Sequence, residues 1–176
     1  MTIPPNRLQR QLERLSEVAA FARPWYRNIV LRRAVPFIGT AGIRFVEMSV
    51  ERVEVSLANE RKVQNHVQGI HTSAMNLLAE TAVGMVVGMN VRDDCFSLAK
   101  ELKMVFKKRA TGALRAVAVL TPEQRAALQA SDKGEVNVSV TVTDEAGVQP
   151  VECEFIWAWV PSDRPKMRPK TAGNKS

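Results

Sequence analysis

Cysteine is scarce in this chain. Cys95 and Cys153 are the two it has, far apart and without metal-ligand spacing. That argues against a disulfide framework and for a reducing, cytoplasmic compartment. Histidine is as rare: His66 and His71 stand five residues apart with no third ligand at helical spacing, a poor basis for a metal site. Long apolar runs are missing too. The most hydrophobic stretch, 74–91, is broken by Asn76, Glu80, Gly84 and Gly88 and reads as a buried core helix, not a membrane span. No secretory leader is expected, because Arg7, Arg10 and Arg14 come early with no apolar region behind them, and Glu13 and Glu17 are foreign to a transit peptide. Internal repeats are absent, and nothing before the last residues is of low complexity.

What is present fits one compact domain: 176 residues, of which 45% are hydrophobic. Lys and Arg outnumber Asp and Glu by 25 to 18, a net charge of +7 that would suit nucleic acid, anionic lipid or a phosphate-bearing ligand. Part of the excess lies in Arg164, Lys166, Arg168, Lys170 and Lys175, in a Pro-rich tail over 161–176 expected to be disordered. Nucleic-acid binding rests on charge alone, without a motif that interleaves aromatic and basic residues. The other basic cluster, Lys107-Lys108-Arg109, reads either as a solvated turn or as a site for phosphate.

Along the chain, Leu8, Leu12, Leu15, Val18 and Ala22 recur at helical steps over 6–22. Pro24 ends that helix, a second short one runs through Arg33, and Pro36 closes it, so 1–40 forms a helical extension. From Ile43 the period changes, and Val53, Val55 and Leu57 alternate with Glu54 and Ser56 as in a strand with one buried face. The segment 69–90 is a long helix, apolar on most of its circumference, which a curved sheet would wrap. Further strands are expected over 97–106, 113–120, 135–143 and 151–160. The last two are joined by a hairpin at 144–149, and Val151, Cys153, Phe155, Trp157 and Trp159 line one face. Trp157 and Trp159 read as core or subunit contact, not as a base-stacking platform. Thr121-Pro122-Glu123-Gln124 is a helix-start signature, expected to open a short helix on a sheet edge. The whole is an α+β layout, one long helix wrapped by a mostly antiparallel sheet.

The segment Asn65 to Glu80 carries the chemistry. It runs from a polar loop into the buried helix, whose start offers unpaired N–H groups and partial positive charge. A carbonyl oxygen turning into an oxyanion could be stabilised there, notably by the Thr72 N–H. Thr72, Asn76 and Glu80 fall on one stripe of an otherwise apolar helix, where a carboxylate is costly unless paired or given a task. His71 and Glu80 of one chain lie ~12 Å apart along the axis, too far to serve one carbonyl. Two such helices, antiparallel across a two-fold axis, would bring the acid of one to the helix start of the other, so the geometry asks for a dimer.

Asn65, His71 six residues on, and Leu78-Ala79-Glu80 with Glu80 nine after the histidine resemble the signature of hotdog-fold thioesterases, nearest the phenylacetate-pathway and 4-hydroxybenzoyl-CoA type. The wider pattern, with Gly84 and with Val105-Phe106 running into Lys107-Lys108-Arg109-Ala110-Thr111-Gly112, is similar to a bacterial branch of that superfamily. The resemblance implies a hotdog domain over 41–160. It implies hydrolysis of an acyl-CoA without metal or other cofactor, by a homodimer, with pairing of dimers into tetramers left open. It makes Glu80 the nucleophile or general base and gives Thr72 the oxyanion-hole N–H. Asn65 would position water or the carbonyl, His71 would orient the loop or touch the thioester oxygen, and Lys107, Lys108 and Arg109 would meet the phosphates of coenzyme A. The family's Gly-Gly after the histidine is Thr72-Ser73 here, and a Ser or Thr that relatives carry on the next strand would fall near Ser97 or Ala99. Structural alternatives stand beside each role. Glu80 could pair with an arginine or Asn76 at the dimer contact, His71 could be a helix-start residue bonded to backbone, and Asn65 could cap a turn. His66 reads as structural. The rival from another class is a hotdog protein that binds acyl groups without hydrolysing them. A dehydratase would need a Pro-rich loop and a longer His-to-acid spacing.

Overall fold

The computed structural model describes residues 5–15 and 23–162. The expected tail beyond Ser162 and the second half of the expected first helix lie outside them. Three helices lead the chain: α1 (Arg7–Leu15), α2 (Arg23–Ala34) and α3 (Pro36–Ala41). α2 ends at Ala34, just before Pro36 as expected, and Pro36 also opens α3. Its missing N–H falls among the first-turn donors that have no helical partner in any case, and its ring presets φ. Gly42 then ends α3 at φ 83°, a left-handed position where a side chain would also meet the Lys62 ammonium.

Two strands follow where one was expected, β1 (Arg44–Met48) and β2 (Arg52–Leu57), joined by a tight turn. β1 lacks the alternating signature because it is an edge strand that buries Phe45 alone among its residues. The long helix α4 spans Thr72–Gly88. After it come β3 (Cys95–Phe106), β4 (Leu114–Val119), α5 (Pro122–Ala130), β5 (Gly134–Asp144) and β6 (Val151–Pro161). The strands form one antiparallel sheet in the order β1-β2-β4-β5-β6-β3. Because α4 connects β2 near one edge to β3 at the other, it crosses the width of the sheet. One face of each of four strands wraps it: Val53, Val55 and Leu57; Ala116 and Ala118; Val138 and Val142; Phe155 and Trp157, all buried. This is the hotdog arrangement. Closing Phe155 and Leu78 away from water contributes about 1.5–3 kcal/mol each, and such terms hold α4 in the sheet.

α5 carries the expected capping box, with Thr121 and Gln124 bonding each other's backbone. It is not an ornament on a sheet edge. It bridges the central strands β4 and β5, buries Leu128, and sends Arg125 and Gln129 to Asn90, whose own amide caps the end of α4 at Val86. An extra residue in β3 between Ala99 and Glu101 resets its alternation. Ser97 and Ala99 lie opposite Trp159 and Trp157, and beyond the bulge Leu102 and Phe106 lie opposite Phe155 and Val151. All four therefore share the helix side of the sheet. No described helix is long and apolar enough to cross a membrane.

Candidate active site

The loop before α4 is built around Asn65. Its carboxamide oxygen accepts the N–H groups of Val67 and Gly69 at 3.0 and 3.1 Å, while its own N–H donates to the Gly69 carbonyl at 2.8 Å. These bonds hold Gln68 at φ 61°, unusual for a residue with a side chain. Asn65 thus braces the loop, and its carboxamide oxygen is occupied. His66 is exposed at the turn. The loop is pinned at the far end by the His71 N–H, which donates to the Val63 carbonyl at 2.8 Å.

His71 is the N-cap of α4, with ψ 142° and with Nδ1 accepting the Ser73 N–H at 3.0 Å. The Ala74 and Met75 N–H groups both reach the His71 carbonyl. Capping therefore satisfies every early donor of the helix except one. Among the described residues the Thr72 N–H has no acceptor, and Thr72 is exposed. The helix dipole concentrates partial positive charge at that same end.

From Thr72 one row of α4 runs Asn76, Glu80, Gly84, Gly88, each partly exposed while the rest of the helix is mostly buried. At Gly84 the row meets β6, and at Gly88 it meets Leu8 of α1. A Cβ on Gly84 would stand 3.1 Å from the Trp157 ring, so the missing side chain is what lets helix and indole close up. Glu80 is half-buried with no ion pair or hydrogen bond to any described residue, and burial pushes its carboxyl above the ordinary 4.5. Within one chain, Glu80 pairs with neither an arginine nor Asn76 among the described residues; the structural pairing expected of it lies across a dimer contact. Asn76 itself has Oδ1 buried without a donor.

A hollow of about 220 Å³ flanks the helix start between α3 and α4. Phe37, Lys62, His71, Ser73 and Leu77 are among its walls. The contribution of α3 was not visible in the sequence, because Phe37 sits in a six-residue helix with no periodic pattern. The basic turn lies nearby but is only partly uncommitted. Arg109 donates to the Val67 carbonyl at 3.0 Å, tying the turn to the Asn65 loop, and Lys107 pairs with Glu152 at 2.9 Å. The Lys108 ammonium has no partner among the described residues, while its backbone N–H donates to the Pro150 carbonyl at 3.2 Å. Thiol chemistry is disfavoured: burial pushes Cys153 up to about 11, and burial together with Asp94 raises Cys95. No group of three or more described His, Cys, Asp or Glu residues could hold a metal ion.

Known structures share this architecture. A 1.5 Å structure from Pseudomonas aeruginosa, named a "probable thioesterase", matches at TM-score 0.70 and 20% identity, covering 77% of this chain and 93% of its own. A mutant thioesterase from the same organism matches at 0.64 and 16%, covering 78% and 94%. A thioesterase family protein from Silicibacter pomeroyi matches at 0.62 and 15%, covering 74% and 93%. At these identities the likeness establishes the hotdog fold. No curated protein matches the sequence. The family model described as "Domain of unknown function (DUF4442)" matches residues 24–160, and the chain, from the second helix to the last strand, belongs to that family.

Proposed function

We propose that the protein hydrolyses an acyl thioester, with coenzyme A as the carrier, at a site completed by a second copy of the chain. The observation that carries this reading is Glu80, a carboxylate kept half-buried with no partner among the described residues, on the row of α4 that begins at the Thr72 N–H, itself unpaired among them. A group placed so at a cost to folding is suited to proton transfer or nucleophilic attack. In this mechanism Glu80 draws a proton from water, or attacks the thioester carbon itself. The Thr72 N–H of the facing chain receives the negative charge that grows on the carbonyl oxygen, and the thiolate departs. Lys108 is the cation of the basic turn best placed to meet phosphate. The thioesterase names of the similar structures favour the same reaction class.

The need for a second copy follows from distance, since Thr72 and Glu80 of one helix are ~12 Å apart. β3 supplies the means. It is a 12-residue edge strand with Phe96, Leu98, Leu102, Val105 and Phe106 all exposed, an edge of the kind that pairs with another strand.

A panel of acyl-CoAs with the released thiol detected by colour tests the reading. Thiol release is expected from the unmodified protein, and Glu80→Gln is expected to lower kcat by about 10²–10⁴. Binding without release would instead identify an acyl-binding protein, for which the exposed Thr72 and Ser73 side chains at the helix start would be a steric cause.

A further inference from the structure

Beside the hollow between α3 and α4, three cations gather around a single carboxylate. Gly42, which ends α3, is approached by two of them: the Lys62 ammonium and an Arg32 guanidinium nitrogen would stand 2.7 and 3.6 Å from a Cβ at that position. Arg44 lies two residues further on. It is exposed, and its side chain has no hydrogen bond or ion pair among the described residues. Glu60 answers all three. It pairs with Lys62 at 3.0 Å, and that bond, with the charges of Lys62, Arg44 and Arg32, holds its carboxyl below the usual 4.5. Like charges gathered this closely repel one another, and Glu60 offsets one of the three. Arg32 gives one N–H to the Gly39 carbonyl, which leaves most of its fork open.

We infer that the hollow and this cluster hold the carrier: the pantetheine arm of coenzyme A lies in the hollow, and Arg32, Arg44 and Lys62 take its phosphates. The inference rests on coenzyme A as the carrier in the proposed reaction and adds where it is bound. His71 and Ser73, on either side of Thr72, both line the hollow, so an arm lying in it starts beside the N–H assigned to the oxyanion of the same chain. Phe37, Ala41 and Leu77 give it apolar walls, and Thr40 and Ser73 add hydroxyls. That mixture suits an arm in which hydrocarbon alternates with amides. Lys62 belongs both to the wall and to the cluster, so the path from thiol to phosphate is continuous. Guanidinium groups hold phosphate through paired N–H donors, and three cations against one carboxylate match a diphosphate better than the basic turn does. There Lys107 is paired with Glu152 and Arg109 with the Val67 carbonyl, which leaves Lys108. A bare acyl chain in the hollow would leave the cluster without its anion.

Calorimetric titration at low ionic strength compares the Kd of coenzyme A with that of pantetheine, the same arm without phosphate. The unmodified protein is expected to bind coenzyme A more tightly by about tenfold or more. Arg44→Ala and Lys62→Ala together should lower that ratio by about fivefold or more. Both side chains are exposed, so the fold is retained, and Arg44→Ala alone should already lower it. Lys133→Ala, which removes a charge between α5 and β5, should leave the ratio as it is. Thr40→Trp, which narrows the hollow from an exposed wall position, should weaken both ligands together. Equal affinity for the two ligands in the unmodified protein would overturn the inference. So would a ratio untouched by the double substitution, an equal drop in Lys133→Ala, or binding indifferent to Thr40→Trp. A ratio abolished by Lys108→Ala alone would move the phosphates to the basic turn and overturn it too. Coenzyme A bound as described, with no acyl-CoA hydrolysed, would remove the hydrolase reading and leave this inference standing; hydrolysis indifferent to these cations would do the reverse.

Discussion

The peptide nitrogen of Thr72 can be removed without disturbing the helix it begins. Thr72 is the first residue of α4, where proline is well tolerated, and His71 before it already holds the extended conformation that a following proline requires, at ψ 142°. Thr72→Pro is therefore expected to fold with an unchanged far-ultraviolet circular dichroism spectrum. If its N–H receives the oxyanion, kcat should fall by about 10²–10³, the effect of removing one such donor; a variant at full rate would place the oxyanion elsewhere. Glu80 offers a test by pH. Its carboxyl titrates above the ordinary 4.5 because burial disfavours the charge, so kcat/KM should rise with pH through that elevated value as the base ionises. Stability should move the opposite way. Between the ordinary carboxylate range and the raised value the folded state binds more protons than the unfolded state, so the free energy of unfolding falls as pH rises. Urea titrations at successive pH values should show that decline in the unmodified protein and a flatter profile in Glu80→Gln.

At the scale of elements, sequence pattern and packing weigh differently. The capping box of α5 was readable as a word, Thr121-Pro122-Glu123-Gln124, because its bonds join residues three apart. The alternation of Val136, Val138, Val140 and Val142 was readable because each buries the same face of β5. β1 was not, since a strand at the sheet's edge with one buried residue has no period to show. Nor was the bulge in β3, which exists only relative to the register of β6. The meeting of β5 and β6 also hides a dependence on glycine. The Trp159 ring, fixed by its bond to the Ser131 carbonyl at 3.0 Å, occupies the space that a side chain on Gly134 would need. Gly134→Ala must displace a buried indole, which is expected to cost about 1–3 kcal/mol and to lower Tm by several degrees in a thermal melt.

For the whole molecule the decisive surface is the free edge of β3. Leu102 faces the helix side of the sheet opposite Phe155, yet is 44% exposed in a single chain. Leu102→Glu should leave the protomer folded, because little contact within the chain is lost, and should shift it to a monomer in sedimentation or gel filtration. Hydrolysis should fall with the dimer fraction. A monomeric unmodified protein, or a monomeric variant with full activity, would refute the shared site.

The sequence by itself determined the long buried helix, the curved antiparallel sheet around it and the stripe on which Thr72, Asn76 and Glu80 stand, since each follows from periodicities that local geometry imposes. It also held both the bland and the sharp reading of Asn65, His71 and Glu80, and could not choose. Tertiary structure shows where their hydrogen bonds go within one chain. Asn65 and His71 are occupied in shaping the loop and capping the helix, and that capping leaves the Thr72 N–H unmatched. Glu80 has no partner among the described residues of its own chain. Which polar group goes unpaired is settled by the positions of all the others, and no stretch of sequence records that.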